Sequence, residues 1–78
     1  MKITLYTKNH CQPCILTKQW LNVWNVAYEQ RNISKDGKYI KEVKELGYNA
    51  LPVVVVYKDG EKTTWDGFQE DLLAEHIL

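Results

Sequence analysis

Lys2-Ile3-Thr4-Leu5-Tyr6-Thr7-Lys8-Asn9-His10-Cys11-Gln12-Pro13-Cys14 is the stretch on which the fold turns. Its first part alternates, with Ile3 and Leu5 on one face, and reads as a strand over residues 2 to 6. Thr7 to His10 is a short polar loop. Two cysteines then stand two residues apart, and the chain has no others. A helix-period pattern follows, from Gln12 to Asn25. A strand feeding a Cys-x-x-Cys at a helix start is the arrangement that makes a reversibly oxidised dithiol. The first sulfur meets the partial positive charge of the helix N-terminus, which favours thiolate, the nucleophile of disulfide exchange. Pro13 falls in the first turn, where its missing N–H removes no helical hydrogen bond. The competing readings are a structural thiol pair or half of a zinc site.

Working outward, the first helix carries a stripe of Leu16, Trp20, Val23 and Trp24, with Leu21 beside it. Core packing is the expected role of Trp20 and Trp24. Residues 26 to 33 form a second strand. Ser34 or Asp36 suits the cap of a helix from about Asp36 to Leu46, whose apolar face is Tyr39, Ile40, Val43 and Leu46. Gly47 suits its C-terminal cap. After Leu51-Pro52, the β-branched run Val53-Val54-Val55-Val56-Tyr57 predicts a strand buried on both faces. Asp59-Gly60 marks a tight hairpin turn. Glu61 to Trp65 returns as an antiparallel edge strand, and a last helix runs from about Gln69 to Ile77 with Leu72, Leu73 and Ile77 inward. The order β-α-β-α-β-β-α predicts a mixed four-stranded sheet with helices on both faces, an α/β fold of minimal thioredoxin-like type.

The 78 residues read as a single domain, 1–78, with one modest core. Ten basic and ten acidic side chains cancel, which leaves no field for nucleic acid or anionic membrane. No apolar run reaches bilayer-spanning length, and MKITLY lacks the apolar core of a secretion signal. The expected location is the cytoplasm, where a lone Cys-x-x-Cys is more often a working dithiol than a staple.

The stretch from Ile3 to Cys14, with Thr17-Lys18 and Leu21, resembles the small glutaredoxin-like NrdH-redoxins. Leu51-Pro52-Val53-Val54 resembles that family's cis-proline loop, Asn32-Ile33 the end of its second strand, and Trp65-Asp66-Gly67-Phe68 its Trp-Ser-Gly-Phe signature. The resemblance implies a glutaredoxin-type fold with thioredoxin-like partners. The electron donor would be a flavin- and NADPH-dependent thioredoxin reductase, and the acceptor a class Ib ribonucleotide reductase or another disulfide protein. It also implies a monomer with no bound cofactor beyond the Cys11–Cys14 disulfide. Two departures bear on the partner surface. Gln69-Glu70 stands where the family has Arg-Pro, and Asp66 replaces its serine.

Cys11 is expected at the exposed helix end as the attacking thiolate, with the more covered Cys14 resolving the mixed disulfide. Gln12 and Pro13 support the loop between them. Lys8 either adds positive potential at Cys11 or is a solvated loop lysine. His10 reads as an exposed loop residue. By resemblance, the bond before Pro52 is cis and faces the dithiol, so that a substrate segment pairs with the Leu51 backbone. Without the resemblance, Pro52 merely opens a strand. Trp65, Gly67 and Phe68 read as partner-binding residues, with Gly67 a turn and the aromatics shared between core and docking surface. The alternative functions are a glutathione-dependent glutaredoxin, and a metal or iron–sulfur-binding module of the same fold. One Cys-x-x-Cys supplies only two ligands, so no metal site is expected from this chain alone. Asp66-Gly67 and Gln69-Glu70 match the glutathione-holding pattern poorly.

Overall fold

Val53 to Val56 are all buried and run through the interior of a four-stranded sheet. The computed structural model describes residues 1–78. In chain order the elements are β1 (Lys2–Thr7), α1 (Gln12–Val23), β2 (Glu29–Asn32), α2 (Lys38–Glu45), β3 (Val53–Lys58), β4 (Glu61–Asp66) and α3 (Glu70–Ile77). The sheet order is β2-β1-β3-β4, with β1 parallel to β2 and antiparallel to β3, and β3 antiparallel to β4. This is the thioredoxin-like mixed sheet expected from the order of elements.

Strand alternation sorts the apolar residues between the two faces. Ile3 pairs with Val56 and Leu5 with Val54, and these four join Trp65, Leu21 of α1, and Leu73 and Ile77 of α3 in one buried cluster. Tyr6, Val53 and Val55 turn to the opposite face and bury Val43 of α2. Each fully covered Val or Leu contributes about 1.5–3 kcal/mol relative to exposure. The β3–β4 turn places Asp59 and Gly60 at φ +53° and +79°, the conformation that an Asp-Gly hairpin needs.

The first two helices end on the same device. Asn25 is left-handed at φ +54°; its N–H reaches the Asn22 carbonyl at 3.1 Å, and the Val26 N–H reaches the Leu21 carbonyl at 2.9 Å. Helix α1 therefore stops at Val23, short of the expected Asn25. Gly47 does the same for α2 at φ +93°. β2 is also shorter than the expected 26–33, because Val26 is spent on the helix stop and pairing with β1 begins at Thr4↔Glu29. At the start of α2, Asp36 Oδ1 accepts the Lys38 N–H at 3.1 Å, while Ser34 is engaged elsewhere.

The buried face of α1 differs from the expected stripe. It consists of Cys14, Thr17 and Leu21. Trp20 is half-buried against the core, but Val23 is 77% exposed and Trp24 54% exposed, so Trp24 is not a core residue. Thr17 fits the sheet side because its hydroxyl donates to the Pro13 carbonyl at 2.8 Å, which leaves a small, satisfied side chain at the contact. Ile40 of α2 is likewise exposed rather than inward.

Candidate functional site

The site grows from the end of β1. The Thr7 carbonyl accepts the Ile33 N–H at 2.9 Å, which holds the strand end against β2. Asn9 and His10 then turn the chain, with His10 left-handed at φ +55°. Cys11 follows in an extended conformation at φ −120° and ψ +102° and caps α1. Its carbonyl accepts the Ile15 N–H at 3.1 Å, and its Sγ accepts the Cys14 N–H at 3.3 Å. Pro13 sits in the first turn, as its fixed φ predicts.

Cys11 and Cys14 are joined as a disulfide, with Cα atoms 5.2 Å apart. A thiolate formed at Cys11 on reduction would face the Cys14 N–H and the N-terminal end of α1. Both features stabilise that charge. Cys11 is the less covered of the two, at 4% exposure against 1% for Cys14. The expected exposed position for Cys11 is thus corrected, since both cysteines are buried as residues in the disulfide form, while the expected order, with Cys14 the more covered, holds. One cover is the Leu51 carbonyl, 3.9 Å from Cys11 Sγ.

The peptide bond between Leu51 and Pro52 is cis. Pro52 is buried and Leu51 half-buried. The Pro52 carbonyl accepts the Gly67 N–H at 2.8 Å. Three segments distant in sequence therefore meet in a chain: Cys11 against Leu51, Leu51 bonded to Pro52, and Pro52 against Gly67. Lys8 is exposed, yet it lines a hollow of about 160 Å³ together with Leu51, Ile33, Ile40, Val43 and Tyr48. Gln12 and His10 are exposed.

Trp65 is 4% exposed and belongs to the core between the sheet and α3. It has no surface to offer a partner, which corrects its expected docking role. Its ring lies 5.8 Å from that of His76, and its buried indole N–H has no hydrogen-bond partner. Gly67 and Phe68 remain half-buried at the surface. Gly67 is left-handed at φ +79°, consistent with its expected turn role.

Away from the dithiol, sequence reading missed a polar cluster between the sheet and α2. The Tyr6 hydroxyl donates to Glu42 Oε1 at 2.6 Å, and Arg31 Nη1 donates to the same oxygen at 2.6 Å and to the Tyr6 hydroxyl at 3.1 Å. Arg31 also pairs with Glu29. Burial, then the bond to Glu42, pushes the Tyr6 phenol up to about 12. The bond from Tyr6, then Arg31, holds the Glu42 carboxyl below its usual range. Tyr6, Arg31 and Glu42 line a hollow of about 460 Å³ that is bordered by neither cysteine nor by Pro52. No group of three or more His, Cys, Asp or Glu side chains converges in the structure.

The sequence model of the Glutaredoxin family matches residues 3–61. The glutaredoxin-like protein NrdH of Lactococcus lactis subsp. lactis is 33% identical over 73 residues, covering 94% of this chain and 96% of that protein. NrdH of Escherichia coli K12 is 30% identical over 73 residues, covering 94% and 85%. Among solved structures, NrdH-redoxin from Escherichia coli superposes with a TM-score of 0.83 at 29% identity, covering 96% of this chain and 93% of that one.

Proposed function

Because the chain belongs to the glutaredoxin family, within its NrdH group, we propose that it is a cytoplasmic electron carrier for ribonucleotide reduction. Thiol–disulfide oxidoreduction through a Cys-x-x-Cys is the activity of that family. The finer reading is that this protein takes electrons from thioredoxin reductase and delivers them to a class Ib ribonucleotide reductase. Residues 1–78 act as one domain and one monomer, with no bound cofactor. No helix is long and apolar enough to cross a membrane.

The observation that carries the reading is the setting of Cys11 Sγ, which accepts the Cys14 N–H at 3.3 Å and lies 3.9 Å from the Leu51 carbonyl. The Cys11 thiolate attacks one sulfur of the acceptor disulfide and forms a mixed disulfide, and the departing sulfur leaves as thiolate and takes a proton. Cys14, losing its own proton, attacks Cys11 Sγ. The Cys11–Cys14 bond forms, the mixed disulfide breaks, and the acceptor leaves with two thiols, two electrons richer. The dithiol of the reductase reverses these steps on the carrier. Pro52 holds the Leu51 backbone beside Cys11, where an extended acceptor segment pairs with it. Gln12 and Pro13 shape the loop, Lys8 borders it, and Gly67 and Phe68 form the rim that a partner meets.

Thioredoxin reductase is preferred to glutathione as donor on two grounds. The related Escherichia coli NrdH-redoxin combines a glutaredoxin-like scaffold with a thioredoxin-like activity profile. This chain also has Asp66-Gly67 and Gln69-Glu70 where a glutathione site would need a different pattern. The test is a coupled assay of NADPH oxidation with class Ib ribonucleotide reductase as acceptor. Turnover with thioredoxin reductase, and little with glutathione plus glutathione reductase, is the expected result. The reverse preference overturns the donor assignment, and reduction of insulin but not of the reductase overturns the acceptor.

A further inference from the structure

We infer that Asn9, Asn32 and Ser34 are positioning residues for Cys11, acting through the left-handed turn at His10. The three form a closed ring. The Asn9 N–H donates to Ser34 Oγ at 3.0 Å, the Ser34 N–H donates to Asn32 Oδ1 at 2.8 Å, and Asn32 Nδ2 donates to Asn9 Oδ1 at 3.1 Å. The ring ties the turn that enters the dithiol to the segment between β2 and α2. It also accounts for Ser34, which does not cap α2: the N-cap is Gly37, and Asp36 Oδ1 accepts the Lys38 N–H from one residue earlier.

His10 is what the ring has to hold. A left-handed φ of +55° is unfavourable for a residue with a Cβ. Relaxation of His10 to negative φ swings the following peptide and moves Cys11 out of the extended conformation in which its Sγ accepts the Cys14 N–H. Asn9, one residue earlier, is anchored through both its backbone N–H and its side chain. The ring thus keeps the entry to the helix fixed while the sulfur changes between thiolate, mixed disulfide and disulfide. The consequence for chemistry is the thiolate fraction of Cys11, because that N–H stabilises the charged form. The inference rests on the reading of Cys11 as the attacking sulfur.

The test is a double-mutant cycle between Asn32→Ala and His10→Gly in the reduced full-length chain. Its readout is the pH dependence of iodoacetamide alkylation, with the labelled cysteine identified by mass spectrometry. Asn32→Ala is expected to slow Cys11 alkylation at neutral pH by about threefold to tenfold, the worth of one hydrogen bond, and to move the midpoint upward accordingly. In the His10→Gly background the same substitution is expected to cost less than about twofold, because glycine adopts the left-handed turn without restraint. Ser34→Ala reproduces the loss and Ser34→Thr restores it, which keeps the test decisive if Asn32→Ala fails to fold. An unchanged Cys11 profile in folded Asn32→Ala, or an equal loss in both backgrounds, overturns the positioning role. Labelling of Cys14 before Cys11 in the unsubstituted protein overturns instead the nucleophile assignment beneath it.

Discussion

The Tyr6 hydroxyl and Glu42 Oε1, 36 residues apart in sequence, lie 2.6 Å from one another and pin α2 to the end of β1. Arg31 completes the contact from β2. The contact shifts the ionisation of all three side chains, Tyr6, Arg31 and Glu42.

Their pH consequences have opposite signs. Tyr6 ionises at about 12 in the fold against 10.0 in a free chain. Its contribution is therefore complete below the free-chain value and is lost as pH climbs toward the folded one. Tyr6→Phe should remove that alkaline loss, read as urea midpoints that converge with those of the parent protein at high pH. Glu42 is shifted downward, so its contribution is present above the ordinary carboxylate value and fades as pH falls through the folded one. Glu42→Gln should accordingly destabilise at neutral pH, with the gap from the parent narrowing in acid.

The two sulfurs should separate by function. Cys11→Ser is expected to lower disulfide reduction to the rate seen without protein. Cys14→Ser should still attack and then stall as a mixed disulfide with its acceptor, visible as a covalent adduct on a non-reducing gel.

Gly67→Ala should lower stability without a clash. The position has φ +79° and nothing within 4 Å of an added Cβ, so the cost is conformational, about 1–2 kcal/mol. A drop in melting temperature of roughly 4–8 °C per kcal/mol is expected for a domain of this size. The Pro52–Gly67 hydrogen bond loosens with it, so disulfide exchange with partners should slow in the same variant.

Two tryptophans should respond very differently to truncation. Trp65→Ala removes a core ring at 4% exposure and is expected to cost about 3–5 kcal/mol, enough to threaten folding. Trp24→Ala, at 54% exposure, should change stability by no more than about 0.5 kcal/mol. Chemical denaturation of the two variants measures the contrast.

That contrast marks where sequence reading succeeds and where it stops. The strand before Cys11, the valine run of β3 and the Asp59-Gly60 turn were legible because each is written in neighbouring residues. The inward face of α1 was not. Counting large apolar side chains at helical spacing pointed to Leu16, Trp20, Val23 and Trp24 with Leu21 beside them; Leu21 is buried and Trp20 packs on the core, but Val23 and Trp24 are exposed, and Cys14 and Thr17 are buried instead. A threonine bonded back to its own helix is apolar enough and small enough for close approach, and hydropathy does not register that. Trp65 keeps the core half of its expected role and loses the docking half, since its place at a strand end says nothing of α3 packing against it. Apart from the local Asn32–Ser34 turn, the Tyr6–Arg31–Glu42 cluster and the ring of Asn9, Asn32 and Ser34 leave no local signal, because their other partners stand 11 to 36 residues apart. Within the site, the motifs announced Cys11, Cys14 and the Leu51-Pro52 loop, but not that Cys11 is buried along with Cys14 in the disulfide form.

The outermost strands of the sheet have a colloidal consequence. With ten cations balancing ten anions, the molecule has little long-range repulsion to keep copies apart in a crowded solution. β2 offers only Glu29, Gln30, Arg31 and Asn32 along its open side, and β4 begins with Glu61 and Lys62 and continues through two threonines. Another strand laid along either border would have to strip water from charges and amides with no greasy surface in return. Both flanks of the sheet thus oppose edge-to-edge association between copies of the chain.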